Sequence, residues 1–135
     1  LDLDRFKLVN DRYGHDRGDE VLARVSLVIR ESARDSDFKA RFGGEEFVVL
    51  LPDTNRDGAV VVAEKLREEV GAIAHPSVER SVTVSIGVAT FPADGDSPET
   101  LLHSADLALY AAKHAGRDRV TAYEMGQSLF SRLPV

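Results

Sequence analysis

A single α/β domain with a mixed central sheet flanked by helices is the fold class that this sequence predicts, and three observations predict it. Apolar residues recur at three- and four-residue spacing in several stretches, as on the buried face of a helix. Between those stretches lie short runs rich in Val, Ile and Phe, one of them in strict alternation, as in a half-buried strand. The two kinds of stretch then interleave in the order strand, helix, helix, strand hairpin, helix, strand, helix, strand. That order favours a mixed sheet with helices packed on it over a bundle or a sandwich. A length of 135 residues supports one substantial core rather than two.

The chain opens on a short extended segment, Leu1-Asp2-Leu3-Asp4. Residues 6–13 then read as a short helix stopped by Gly14, and His15, Asp16, Arg17, Gly18 and Asp19 as a polar bend. A long helix is expected to follow to about residue 33, because Val21, Leu22, Val25, Val28 and Ile29 share a face. Residues 34–37 turn the chain into a brief strand over 38–42, which pairs through Gly43-Gly44 with a strand over 46–51, expected to be buried. Ala59, Val62, Ala63, Leu66, Val70 and Ile73 keep helical spacing until His75-Pro76. In 82–88, Val82, Val84, Ile86 and Val88 alternate with Thr83, Ser85 and Gly87, a face small enough for another element to pack closely. Ser97-Pro98 supplies an N-cap and a first-turn proline for a helix that Gly116 ends, and 119–123 reads as the last strand. Residues after 124 carry no clear period and are read as a tail.

Composition excludes several function classes. No cysteine is present, so thiolate metal sites and disulfides are ruled out for these residues. A net charge of −6 disfavours a nucleic-acid polymer as partner, though local Lys and Arg can still serve the phosphates of one nucleotide. No apolar run approaches the length of a membrane span. The four histidines share no metal-ligand spacing, and Ser85, Ser104 and His103 offer no identifiable nucleophile–base pair.

What remains is oxygen chemistry. Asp2 and Asp4 are two apart on an extended segment and so share a face. Gly43-Gly44-Glu45-Glu46 places two adjacent carboxylates at a turn where glycine permits positive φ or the close approach of a ligand. If the first strand lies beside that turn, a mixed carboxylate cluster forms. Hard oxygen donors of this kind suit Mg²⁺, with waters and substrate phosphates completing the shell, and the reaction class implied is phosphoryl or nucleotidyl transfer.

Asp2-Leu3-Asp4-Arg5-Phe6-Lys7-Leu8-Val9-Asn10-Asp11, then Tyr13-Gly14-His15 and Gly18-Asp19, then Gly43-Gly44-Glu45-Glu46-Phe47, resemble in content and order the signature of the GGDEF domain of diguanylate cyclases, in its GGEEF form. The resemblance implies a ferredoxin-like sheet of the nucleotidyl cyclase palm type, with a catalytic domain over 1–123 lacking its N-terminal start and a tail over 124–135. It implies Mg²⁺ (or Mn²⁺) held by Asp2, Glu45 and the backbone carbonyl of Leu3, with Glu46 binding metal or assisting deprotonation. For GTP, it implies phosphate contacts from Lys7, Lys113 and Arg117, a place near the nucleotide for Phe6, guanine contacts from Asn10 and Asp19, and close approach at Gly43 and Gly44. A carboxylate accepts from guanine N1–H and the 2-amino group, a donor pair adenine lacks. Arg34 and Asp37 match an Arg-x-x-Asp inhibitory site that binds the product, five residues ahead of the glycines.

The expected function is therefore condensation of two GTP into cyclic di-GMP and two pyrophosphates by a transient homodimer of half-sites. The alternative is a noncatalytic module that binds GTP or cyclic di-GMP and signals to a neighbouring domain. A sensory or regulatory domain on the N-terminal side and a cytoplasmic location, either free or as part of a membrane-anchored protein, complete the expectation.

Overall fold

The structure, a computed structural model, describes residues 1–124. Its elements are β1 (Asp2–Leu3), α1 (Phe6–Tyr13), α2 (His15–Ser32), β2 (Phe38–Arg41), β3 (Phe47–Leu50), α3 (Arg56–Gly71), β4 (Val84–Val88), α4 (Pro98–His114) and β5 (Val120–Ala122). β1 pairs antiparallel with β4 and β4 parallel with β5, so the sheet is mixed, as expected. The antiparallel β2–β3 hairpin joins the other edge of β1 through an Asp2–Glu46 bridge. Two backbone bonds hold that junction: the Leu3 amide donates to the Glu45 carbonyl at 3.2 Å, and the Phe47 amide to the Leu1 carbonyl at 2.9 Å.

One side of the sheet carries the apolar core. Leu3, Phe47, Val84, Ile86 and Val88 meet Phe6 and Val9 of α1, Val21, Leu22, Val25 and Ile29 of α2, and Ala59, Ala63, Leu66 and Val70 of α3. Burial of this surface is the main source of stability. The other side carries α4, whose buried residues are the small Ser104, Ala108 and Ala112. Small residues on both partners bring helix and strand together: a Cβ at Gly87 would stand 2.2 Å from the Ala105 carbonyl oxygen and 2.4 Å from the Leu109 nitrogen. The small face read in 82–88 thus serves the packing expected of it.

Local signals set the helix ends. Ser97 caps α4 by accepting from the Thr100 amide, with Pro98 in the first turn, and Asn55 caps α3 by accepting from the Gly58 amide. Gly14, at φ 89, breaks the chain between α1 and α2.

Two expectations need correction, and one of the two reasons for glycine at 43 and 44 drops out. Residues 15–19 are not a bend but the first turn of α2, which starts immediately after Gly14. The cause is helix packing: a Cβ at Gly18 would lie 1.9 Å from Asn10 Oδ1 and 3.1 Å from Phe6 Cζ, so glycine here lets α2 close onto α1. The strand over 46–51 is buried only at Phe47; Val48 and Val49 are partly covered and Leu50 is 49% exposed, because β3 packs chiefly against its hairpin partner β2. Gly43 and Gly44 adopt no left-handed φ, since the loop between β2 and β3 is five residues long and closes by a Phe42 amide bond to the Glu46 carbonyl (2.8 Å). The tail lies outside the described residues from 125 onward. Among the described residues, no helix is long and apolar enough to cross a membrane.

Candidate active site

β1 runs between the glycine hairpin and β4, and that placement assembles the acidic residues. Asp2 is buried, and its Oδ2 accepts from Lys113 Nζ at 2.6 Å, so the last turn of α4 reaches the first strand. Glu46 is exposed opposite Asp2 in the bridge. Burial pushes the Glu45 carboxyl above the usual glutamate value; the charges of Asp2 and Glu46 push the same way, while Lys113 opposes them. Excess negative charge of this kind is what a divalent cation relieves, and every side-chain donor is a hard oxygen. Among the described residues, no three acidic or imidazole side chains already converge as a ligand set. Two carboxylates with waters and substrate phosphates suffice for Mg²⁺, so Asp2 and Glu45 fit such an ion, with Lys113 standing on Asp2 as a cation already.

Asp4 does not join this cluster. Its Oδ1 accepts from Ser85 Oγ (2.6 Å), and its Oδ2 from Thr83 Oγ1 (2.7 Å) and the Asp118 amide (3.0 Å). A buried carboxylate saturated this way belongs to the scaffold. The two acids share a face as expected, but only Asp2 is free to exchange its partner for a ligand.

At the hairpin, Arg41 ties down the turn: its Nε donates to the Gly43 carbonyl (3.1 Å) and its Nη2 to the Gly44 carbonyl (2.8 Å). A Cβ at Gly44 would meet nothing within 4 Å, so no group of the domain requires a glycine there. The contact between α1 and α2 brings Phe6 and Asn10 against Gly18, with Asp19 the next residue of α2. Phe6 is buried in the core, whereas Lys7 and Asp19 are exposed. Arg117 lies just past α4 at φ 65, four residues after Lys113.

Arg34 and Asp37 flank the turn before β2 and bind each other. Arg34 Nη2 and Nε lie 3.0 and 3.2 Å from Asp37 Oδ1, and the Arg34 amide donates to Oδ2 at 2.8 Å. These bonds hold the Asp37 carboxyl below its usual value and raise that of Arg34. Arg34 also donates to the Pro52 carbonyl and to Thr54 Oγ1.

The family model described as "Diguanylate cyclase, GGDEF domain" matches residues 1–119. The chain belongs to the GGDEF domain family. Diguanylate cyclase A of Treponema denticola is 43% identical over 123 residues, 90% of this chain and 33% of that protein. Among solved structures, the GGDEF domain of YfiN (TpbB) from Pseudomonas aeruginosa superposes with a TM-score of 0.86 at 39% identity, covering 93% of this chain and 80% of that one. The GGDEF domain of DgcB from Caulobacter crescentus, solved in complex with c-di-GMP, has a TM-score of 0.78 at 35% identity, covering 90% and 73%. The chain spans 27–33% of the length of the curated relatives at the head of that comparison.

Within this GGDEF domain, sequence reasoning missed Asp4 as a scaffold residue, Arg41 as the clamp on the turn, and the packing role of Gly18. The hydroxyls of Thr83 and Ser85 were the available signal for Asp4, since a strand that alternates Val with hydroxyl residues offers donors to a neighbouring buried acid.

Proposed function

We propose that this GGDEF domain is the catalytic module of a diguanylate cyclase, joining two GTP molecules into cyclic di-GMP with release of two pyrophosphates. The observation that carries this reading is the meeting of Asp2, Glu45 and Lys113 at one sheet edge, beside a glycine turn open to solvent. In each half-reaction the 3′-hydroxyl oxygen of one GTP forms a bond to the α-phosphorus of the other. The bond to pyrophosphate breaks, and the hydroxyl proton leaves to a base or to water.

Diguanylate cyclases use a divalent metal; Mg²⁺ or Mn²⁺ is the ion we assign, held by Asp2, Glu45 and the Leu3 carbonyl. When bound, it neutralises phosphate charge and makes the attacking hydroxyl more acidic. The chain's own groups do the rest. Lys7, Lys113 and Arg117 supply cations to the phosphates, Gly43 and Gly44 leave room for the nucleotide, and Glu46, exposed at the same edge, assists departure of the proton. Asn10, which packs against Gly18, and Asp19, the next residue of α2, read guanine, while Phe6 supports them from the core. A site built to pair with guanine rejects a base that leaves its groups unpaired by on the order of 10⁴.

The product is two-fold symmetric, so two copies must bring their hairpin edges together for turnover, at least transiently. Cyclic di-GMP also binds at Arg34 and Asp37, a reading supported by the matching spacing to the glycines. In the longer protein, a sensory or regulatory domain on the N-terminal side controls the encounter of half-sites, with the domain in the cytoplasm. The test is Glu46→Gln in the full-length protein: folding is retained and most turnover of GTP is lost. Equal product formation by mutant and wild type at saturating GTP and Mg²⁺ would refute the assignment.

A further inference from the structure

Two acids, Asp2 on β1 and Asp4 just after it, grip the same stretch of chain at two points. Asp2 holds Lys113 in the last turn of α4, and Asp4 holds the backbone amide of Asp118 five residues later. Between these grips the chain reverses through Arg117 at φ 65 and Asp118 at φ 46, two non-glycine residues in the left-handed region. Such residues are strained and persist only where their surroundings hold them. Here Asp4 takes the Asp118 amide from one side, while Arg67 Nη1 of α3 holds the Asp118 carboxylate at 3.0 Å from the other. Asp4 is itself fixed by Ser85, which is fully buried, and by Thr83.

We propose that Asp4 is a positioning residue that anchors the turn after α4, and so keeps Lys113 at the Asp2–Glu45 edge and fixes the backbone from which Arg117 projects. The inference rests on the cyclase reading for its consequence and on geometry for its mechanism. The Asp2–Lys113 contact has to open when a cation and phosphates take both partners. The Asp4 contacts, buried and shared among three donors, do not open, so the helix end stays in place while its lysine changes partner.

Substitution chemistry separates an anchor from a metal ligand. Asparagine keeps the shape of Asp4: its carbonyl can accept from Thr83 and Asp118 while its amide donates to Ser85 Oγ, a hydroxyl that accepts as well as donates. Asp4→Asn in the full-length protein is therefore expected to keep kcat within about threefold of wild type, as suits a network that stays satisfied. Asp2→Asn, which removes a ligand charge, loses most turnover. Asp4→Ala raises the KM for GTP about tenfold or more, as expected for displaced phosphate contacts. It also accelerates hydrogen exchange at the Asp118 amide, because that local bond is gone. Asp4→Ser, too short to reach Asp118, replaces it if the alanine variant does not fold. A loss in Asp4→Asn as severe as in Asp2→Asn, or unchanged Asp118 exchange in Asp4→Ala or Asp4→Ser, overturns the proposal. If the wild type forms no cyclic di-GMP from GTP, the cyclase reading fails, and Asp118 exchange still decides whether Asp4 anchors the turn.

Discussion

The Lys113 ammonium sits 2.6 Å from the Asp2 carboxylate, across 111 residues of chain. Asp2 has only 7% of its side chain exposed and Lys113 32%, so the pair is half-buried, and removing the lysine leaves a carboxylate short of a partner. Lys113→Met is expected to lower stability by about 1–3 kcal/mol without added metal. Mg²⁺ should then recover more stability in the variant than in the wild type, because the ion no longer displaces a cation. Thermal unfolding with and without Mg²⁺ measures this. A Mg²⁺-induced rise in Tm no larger than that of the wild type would contradict the competition between lysine and metal.

Gly44 has empty space where a side chain would project and no left-handed φ. Gly44→Ala should therefore fold with stability unchanged or raised by up to about 1 kcal/mol, since alanine narrows the unfolded ensemble. Turnover of GTP should nevertheless fall by about tenfold or more, because the methyl occupies room the nucleotide needs. Paired unfolding and rate measurements check both halves. Undiminished activity would mean that the glycine is not reserved for substrate.

The Arg34–Asp37 pair stands at the opposite end of β2 from the glutamates. Arg34→Ala should leave initial rates measured without product largely intact and weaken inhibition by added cyclic di-GMP. Inhibition should be noncompetitive with GTP in the wild type, since the strand β2 separates Arg34 and Asp37 from the glutamates. Identical inhibition curves for variant and wild type would remove Arg34 from the product site. Asp37 also carries a pH signature. Its folded-state value is depressed, chiefly by the Arg34 hydrogen bonds, so the stability it contributes is present above the ordinary aspartate range and lost as pH falls through the depressed value.

His75 gives a second probe, at milder acidity than Asp37. Its Nε2 is buried without a partner, and burial, followed by the nearby Arg24 charge, lowers its pKa. Arg17 and Glu20 of α2 line the same small recess. Above the unfolded value of about 6.5, the imidazole is neutral in both states and no penalty arises. As pH falls through that value towards the lowered folded one, the unfolded chain takes up the proton first and stability declines. Replacing His75 by Leu should flatten denaturant-derived stability over this window. A slope equal to that of the wild type would assign the dependence elsewhere.

Much of this architecture was legible residue by residue. The order of elements, the Gly14 break, the Ser97-Pro98 cap and the small face of 82–88 are all local patterns, and each is reproduced in the structure. Local patterns failed where a neighbour in space decided the outcome. Residues 15–19 looked like a polar bend because nothing in their own order shows that Gly18 receives Asn10 and Phe6 from α1.

The candidate site divides the same way. The residue types, two alternating aspartates and a glycine turn with two glutamates, were enough for the sequence by itself to name the acids that folding gathers around the first strand and to point to oxygen-donor chemistry there. Only the tertiary structure distinguished Asp2 from Asp4. Both project to one side of the same opening segment, yet Asp2 meets a flexible lysine that can exchange for another cation, while Asp4 meets two hydroxyls and a backbone amide fixed by the sheet and the turn after α4. Those partners lie 79 to 114 residues away in the chain. Whether a carboxylate is held for structure or left for chemistry depends on which donors reach it, and folding alone brings those donors within hydrogen-bond distance.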